Sequence, residues 1–183
     1  MANLALIPHN DDESLFLAFT LCREAADIQV VVIFDGYVQA QRGEPVTWQQ
    51  RREETVAALK ELGVVKPPMF AGFSDQTPDW GRIGQFLLAL SHEQAFPTVY
   101  APYEEINGHY QHNMVGRAAL GYFDHVEPYT TYTTEGKSIG TRPVIPEASW
   151  VTRKLRALAC YQSQIQVENC REHFMRGLHE YYA

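Results

Sequence analysis

Two short segments concentrate side chains able to bind a metal or move a proton: Pro8-His9-Asn10-Asp11-Asp12-Glu13 and Gly108-His109-Tyr110-Gln111-His112. An imidazole and a carboxylate from the first, joined by an imidazole from the second, make a three-ligand set with one position open to water, as catalytic zinc requires. A spare carboxylate is then available as a base. Each segment alone also has an ordinary reading. Asp11-Asp12-Glu13 suits an acidic N-cap and first helical turn, and His109 and His112, three apart, suit a helix start facing solvent. The metal reading therefore depends on a fold that brings the two segments together.

The elements around them predict such a fold. Short apolar runs alternate with longer amphipathic ones, the pattern of strands and helices feeding a mostly parallel sheet. Strands are expected at Leu4 to Ile7, Ile28 to Phe34, Pro68 to Phe73, Pro97 to Tyr103 and, nearer an edge, Val126 to Thr134. Helices are expected over Asp12 to Ala26, Trp48 to Leu62 with Gly63 at C′, Asp79 to His92, Gln111 to Tyr122, Trp150 to Gln166 and Cys170 to Tyr181. Asp35 to Thr47 and Glu135 to Glu147 read as loops. In a doubly wound order 3-2-1-4-5, strands one and four are neighbours at the switch point, so the loops that follow them face each other.

Composition narrows the function classes. With 183 residues, 45% hydrophobic and 20% charged, the chain reads as one globular domain over 1–183 that builds its core without metal or disulfide staples. A metal here would serve chemistry. The net charge of −7, with no basic run, argues against a nucleic-acid grip or an anionic membrane surface. Cys22, Cys160 and Cys170 are widely spaced and odd in number, which suits reduced thiols in a cytoplasmic protein. No segment reads as a signal peptide or a membrane span.

Pro8 to Ser14 resembles the H-P-D-D-E signature of the LmbE-like (PIG-L) zinc-dependent de-N-acetylases, with Asn10 in place of proline. The family's R-x-x-E-x-x-x-A-x-x-x-L-G helix is matched by Arg51, Glu54, Ala58, Leu62 and Gly63, and its strand-end aspartate by Asp75. Its H-P-D-H motif is matched at His109 and His112 only. A C-terminal K-x-x-A-L-x-x-Y-x-S-Q pattern is matched by Lys154, Ala157, Leu158, Tyr161, Ser163 and Gln164. The resemblance implies a Rossmann-like three-layer α/β/α fold. It further implies that His9, Asp12 and His112 bind one Zn²⁺ per chain, that Asp11 is the general base, and that His109 assists the carbonyl oxygen or the leaving group. Either Asp11 or His109 would return a proton to the departing amine. The implied reaction removes the N-acetyl group from an amino sugar or an N-acetylglucosamine-containing conjugate.

Two departures bear on that implication. Asn10 replaces a stiffening proline, which should loosen the loop without removing a ligand. Gln111 stands where the family has an aspartate, so a carboxylate that would raise the His109 pKa is missing. Arg51 is expected to reach sugar hydroxyls or a phosphate, and Asp75 to accept from sugar hydroxyls, the latter against an Asx-turn with Thr77. Trp48, Tyr103, Tyr110 and Tyr132 are able to stack on a pyranose ring but equally suit packing. His92, His125, His173 and His179 read as surface or packing histidines, and Glu104 and Glu105 as loop solvation. Two rival readings stand beside the deacetylase: a metal-dependent amidase for another small amide, and a sugar- or nucleotide-binding module with a silent site. A homo-oligomer is compatible with the sequence.

Overall fold

Alternation in the first strand sets the layering. In β1 (Asn3–Ile7), Leu4 and Leu6 join one apolar cluster and Ala5 and Ile7 the other, and all four are fully buried, so the sheet is covered on both faces. The structure is a computed structural model that describes residues 1–36, 46–133, 136–137, 140–165 and 179–183. After β1 come α1 (Asp12–Phe16), α2 (Ala18–Glu24), β2 (Ile28–Phe34), α3 (Trp48–Leu62), β3 (Met69–Phe73), α4 (Trp80–Glu93), β4 (Val99–Pro102), α5 (Tyr110–Tyr122) and β5 (Val126–Tyr129). These five strands pair in parallel in the order 3-2-1-4-5, as expected. On one face Val30 and Val32 meet Leu21, Ala58, Leu62 and Leu158, and on the other Val31 and Ile33 meet Ile83, Leu87, Val115 and Ala119. Helix α3 starts at Thr47, whose hydroxyl accepts from the Gln50 N–H, and ends at Gly63, whose φ of 86° is the left-handed C′ conformation expected there. Among the described residues, no helix is long and apolar enough to cross a membrane.

The first helix departs from expectation. Asp12 to Ala26 is not continuous: Leu17 leaves helical geometry (φ −132°, ψ 7°) and separates α1 from α2. A buried ion pair from the far end of the chain services the break. Lys154 Nζ donates to the Leu15 carbonyl at 2.9 Å, the Glu180 carboxylate accepts the Phe19 N–H at 2.9 Å, and the two side chains meet at 2.6 Å. Backbone groups released by the interruption thus find charged partners instead of helical ones.

The C-terminal third departs further. The helix expected over Trp150 to Gln166 is α6 (Ala148–Ala159) and a short α7 (Gln162–Ile165). The turn between them lets the Ser163 N–H and hydroxyl both reach the buried Glu54 carboxylate. β5 stops at Tyr129, and β6 (Tyr132–Thr133) pairs antiparallel with β7 (Gly136–Lys137) in a separate two-stranded sheet. Within the expected loop lies β8 (Arg142–Pro143), which pairs with β9 (Tyr181–Tyr182), and β9 pairs antiparallel with β5. Among the described residues the sheet is therefore mixed and seven-stranded. Of the helix expected over Cys170 to Tyr181, residues 170–178 lie outside the described residues, and Tyr181 is in a strand. Its neighbour Tyr182 is drawn into the sheet by stacking on Tyr100 and by hydroxyl contacts with Thr20 at 2.5 Å and Arg23 at 3.1 Å.

Candidate metal centre

Both loops lie at the carboxyl ends of the adjacent strands β1 and β4. In the first, Asp11 has φ 122° and ψ −27°, a backbone conformation that costs an L-residue about 1–3 kcal/mol unless its surroundings impose it. Here they do. The Asp11 N–H donates to Glu13 Oε2 at 3.1 Å, and the Arg51 guanidinium donates to the Asn10 carbonyl and, at 3.0 Å, to Asp11 Oδ2. Asn10 is fully buried: its amide donates to the Phe34 and Asp35 carbonyls at 3.3 and 3.1 Å, and its oxygen accepts from Thr55 at 2.9 Å. The loosening expected from losing a proline is therefore not found, because side-chain hydrogen bonds hold the loop. Glu13 is gripped by Ser14 at 2.7 Å and by the Tyr161 hydroxyl.

The second loop is built more simply. His109 occupies the N-cap of α5 without a side-chain cap, and Asn113 braces the preceding turn by exchanging hydrogen bonds with the Glu105 backbone at 3.0 and 2.8 Å. One turn further on, Gly116 packs so closely that a Cβ there would sit 2.0 Å from the Pro102 carbonyl oxygen. Only glycine lets α5 approach the end of β4 this tightly, and the approach helps carry His112 into full burial.

Three atoms then converge. His9 Nδ1, Asp12 Oδ2 and His112 Nε2 form a triangle with edges of 3.2, 3.0 and 3.1 Å. Ligands about 2.0–2.1 Å from a tetrahedral ion are separated by roughly 3.3 Å, so the triangle fits such an ion. A carboxylate oxygen and two imidazole nitrogens face one another there, and only ring protons or a cation can keep their lone pairs from meeting. The ligand atoms of His9, His109 and His112 also lie within 4.8 Å of one another, a wider trio sharing the His9–His112 edge.

The electrostatics separate the members. Burial would raise the Asp12 pKa, but the His112 and His9 rings overcome it and hold the carboxyl well below the usual range. Burial also disfavours the His9 cation, yet its contacts with Asp12 win and raise its pKa. His112 is lowered by burial. His109 is pushed down to about 4 by burial, with His112 and His9 adding to the effect. Asp11 is pushed up to about 8 by burial, against the opposing pull of Arg51. Aromatic rings wall the cluster: Phe34 stacks on His9 at 5.5 Å, and Tyr132 packs on His112 and His109 at 5.3 and 5.9 Å.

Of the expected substrate contacts, Arg51 is only 4% exposed and is committed to Asn10 and Asp11. Asp75 is half-buried, and its backbone carbonyl accepts from Gln111 at 2.6 Å. The turn there is formed by Ser74, whose oxygen accepts the Thr77 N–H, rather than by an Asx-turn of Asp75. Tyr110 lies edge-on to Trp80 and is 59% exposed, whereas Trp48 sits under the Arg52 guanidinium. Glu104 pairs with Arg117. Sequence reasoning missed Thr55, Glu180 and the bracing roles of Asn10 and Tyr161. Tyr161 did carry a signal, as part of the C-terminal pattern.

A model of the GlcNAc-PI de-N-acetylase family, PIG-L, matches residues 4–123. No curated protein sequence matches the chain. Among solved structures, the N,N′-diacetylchitobiose deacetylase of Pyrococcus horikoshii aligns with 16% identity and a TM-score of 0.78, over 100% of this chain and 82% of that one. A deacetylase of the teicoplanin biosynthetic pathway aligns with 20% identity and a TM-score of 0.73, over 96% and 89%. GalB, the 4-carboxy-2-hydroxymuconate hydratase of Pseudomonas putida, aligns with 18% identity and a TM-score of 0.73, over 96% and 83%. At these identities the likeness is one of fold, and it spans more than one chemistry.

Proposed function

The chain belongs to the PIG-L family of GlcNAc-PI de-N-acetylases, and from that premise we propose that it is a zinc-dependent hydrolase. Its reaction removes the N-acetyl group of an amino sugar or an N-acetylglucosamine-containing conjugate. The observation that carries the proposal is the His9–Asp12–His112 triangle, whose edges suit a tetrahedral divalent ion. Asp12 is the anionic member, which favours this trio over the wider one made with His109. When bound, the ion polarises the acetamide carbonyl and acidifies water. Asp11, its carboxyl pushed up to about 8, serves as the base in its ionised form: it takes the proton from the attacking water and returns it to the amine nitrogen as the C–N bond breaks, so acetate and a free amine leave. Its strained backbone and the Arg51 contact hold the carboxylate beside the ligand that follows it in sequence. His109, neutral around pH 7, donates a ring N–H to the carbonyl oxygen as negative charge builds there. Asp75 accepts from a sugar hydroxyl, and Arg51 acts on substrate placement through Asp11 and Asn10.

The test is elemental analysis of the purified chain combined with free-amine release from N-acetylglucosamine, diacetylchitobiose and related conjugates, with and without chelator. The expected result is about one zinc per chain and amine release that the chelator abolishes. Zinc uptake without amine release from any sugar would move the assignment to another small amide, or to water addition of the kind GalB is named for. A chain that takes up no zinc and releases no amine would overturn the hydrolase in favour of a binding module.

A further inference from the structure

One residue at the site falls outside both the family motif and the roles above. Gln111 lies between the two histidines of its segment, and its side chain turns away from both. Its Nε2 donates to the Asp75 backbone carbonyl at 2.6 Å, and its Oε1 sits 2.6 Å from His9 Nε2. These contacts form a chain with only one consistent polarity. The Asp75 carbonyl can only accept, so the amide nitrogen must face it. The amide oxygen then faces His9 Nε2 and can only accept, so His9 Nε2 must carry a hydrogen. A neutral His9 with its hydrogen on Nε2 has its lone pair on Nδ1, the atom that faces Asp12 Oδ2 at 3.2 Å and His112 Nε2 at 3.1 Å. His112 offers the contrast, because its outer nitrogen, Nδ1, is buried with no hydrogen-bond partner among the described residues.

We propose that Gln111 is the positioning residue for His9, fixing its Nε2–H tautomer and ring orientation by relaying the polarity of the Asp75 carbonyl. The proposal rests on the metal reading above. It also gives a purpose to the departure from the family's aspartate: a neutral amide both donates and accepts, whereas a carboxylate accepts at both ends and meets the Asp75 carbonyl lone pair to lone pair. The amide thus ties the turn after β3 to a ligand on the loop after β1. Hydrogen bonds to the outer nitrogen of a ligand histidine fix its tautomer and orientation, and losing one typically weakens metal binding about 10- to 100-fold.

Two measurements test this. Zinc affinity is measured by competition against a chromophoric chelator for the unsubstituted chain and for Gln111→Ala and Gln111→Glu. The expected result is an affinity about 10- to 100-fold weaker in Gln111→Ala. Gln111→Glu should keep more of the affinity than Gln111→Ala, because a carboxylate still accepts from His9 Nε2–H. Equal affinity in the unsubstituted chain and Gln111→Ala would overturn the proposal. Second, long-range ¹⁵N–¹H correlation spectra of the histidine rings of the unsubstituted chain read the His9 tautomer directly and need no variant to fold. In the neutral ring hydrogen on Nε2 alone is expected, and a neutral ring with its hydrogen on Nδ1 would overturn the assignment. If the chain binds no zinc, the hydrolase reading fails by itself, and the tautomer is still read in the zinc-free protein at alkaline pH, where the ring is neutral.

Discussion

The two loops that build the site are held in opposite ways. The loop after β1 is cross-braced: Arg51, Thr55 and Tyr161, from α3 and the C-terminal region, all converge on Asn10, Asp11 and Glu13, and the Lys154–Glu180 pair secures the helix behind them. The loop before α5 relies on a close helix approach, one asparagine brace and the Gln111 link, and the Nδ1 atoms of both its histidines are buried without partners among the described residues. The first loop carries a strained residue and needs surroundings that impose the strain. The second presents its rings from the first turn of a regular helix, where geometry follows from the backbone alone.

Substitutions can break this contrast. The largest effect is expected from the least-braced loop: His112→Ala should lose stoichiometric zinc and amine release together, checked by elemental analysis and a turnover assay. A variant keeping both would remove His112 from the coordination set. Next comes Asp11→Asn, which should keep zinc and lose about 10²- to 10⁴-fold in turnover number, because it removes the base and leaves the ligands. Near-normal turnover would identify another base.

The two remaining substitutions sharpen the comparison through stability. Lys154→Met should cost about 3–5 kcal/mol in denaturant unfolding, since it leaves Glu180 buried and charged without its partner. Adding Glu180→Gln should recover part of that loss, and a single variant as stable as the parent would show that the break between α1 and α2 does not depend on the pair. Asn113→Ala should cost only about 1 kcal/mol, because its brace is partly exposed, yet it should lower turnover more than its stability cost suggests, as the His109 turn has few other supports. Unchanged turnover would show that the helix start alone places His109.

The parts legible in sequence share one physical basis. Strands β1 to β4 are short apolar runs between longer amphipathic ones, which located them, and the doubly wound order 3-2-1-4-5 expected of such units is the order observed. The pairing of the His9 and His112 loops followed from that order. The C-terminal region resisted because β8 and β9 are two residues each and acquire strand geometry from tertiary pairing, which leaves no period to read. The break at Leu17 was equally invisible: Asp12 to Glu24 has a continuous helical pattern, and the residues that stabilise the interruption lie more than 130 positions away.

The sequence by itself determined the layered fold, the two loops that meet and the residue types available for metal and proton chemistry, because each of these is encoded in local period or in motif. Only the tertiary structure decided which atoms face one another. That Asp12 Oδ2 lies 3.2 Å from His9 Nδ1 and 3.0 Å from His112 Nε2, that Arg51 is committed to Asp11, that Asn10 stiffens the loop, and that Gln111 turns toward His9 instead of its neighbour all depend on contacts made by the folded chain. The direction of a side chain is set by the partners that packing brings to it, and those partners come from segments that sequence spacing does not place.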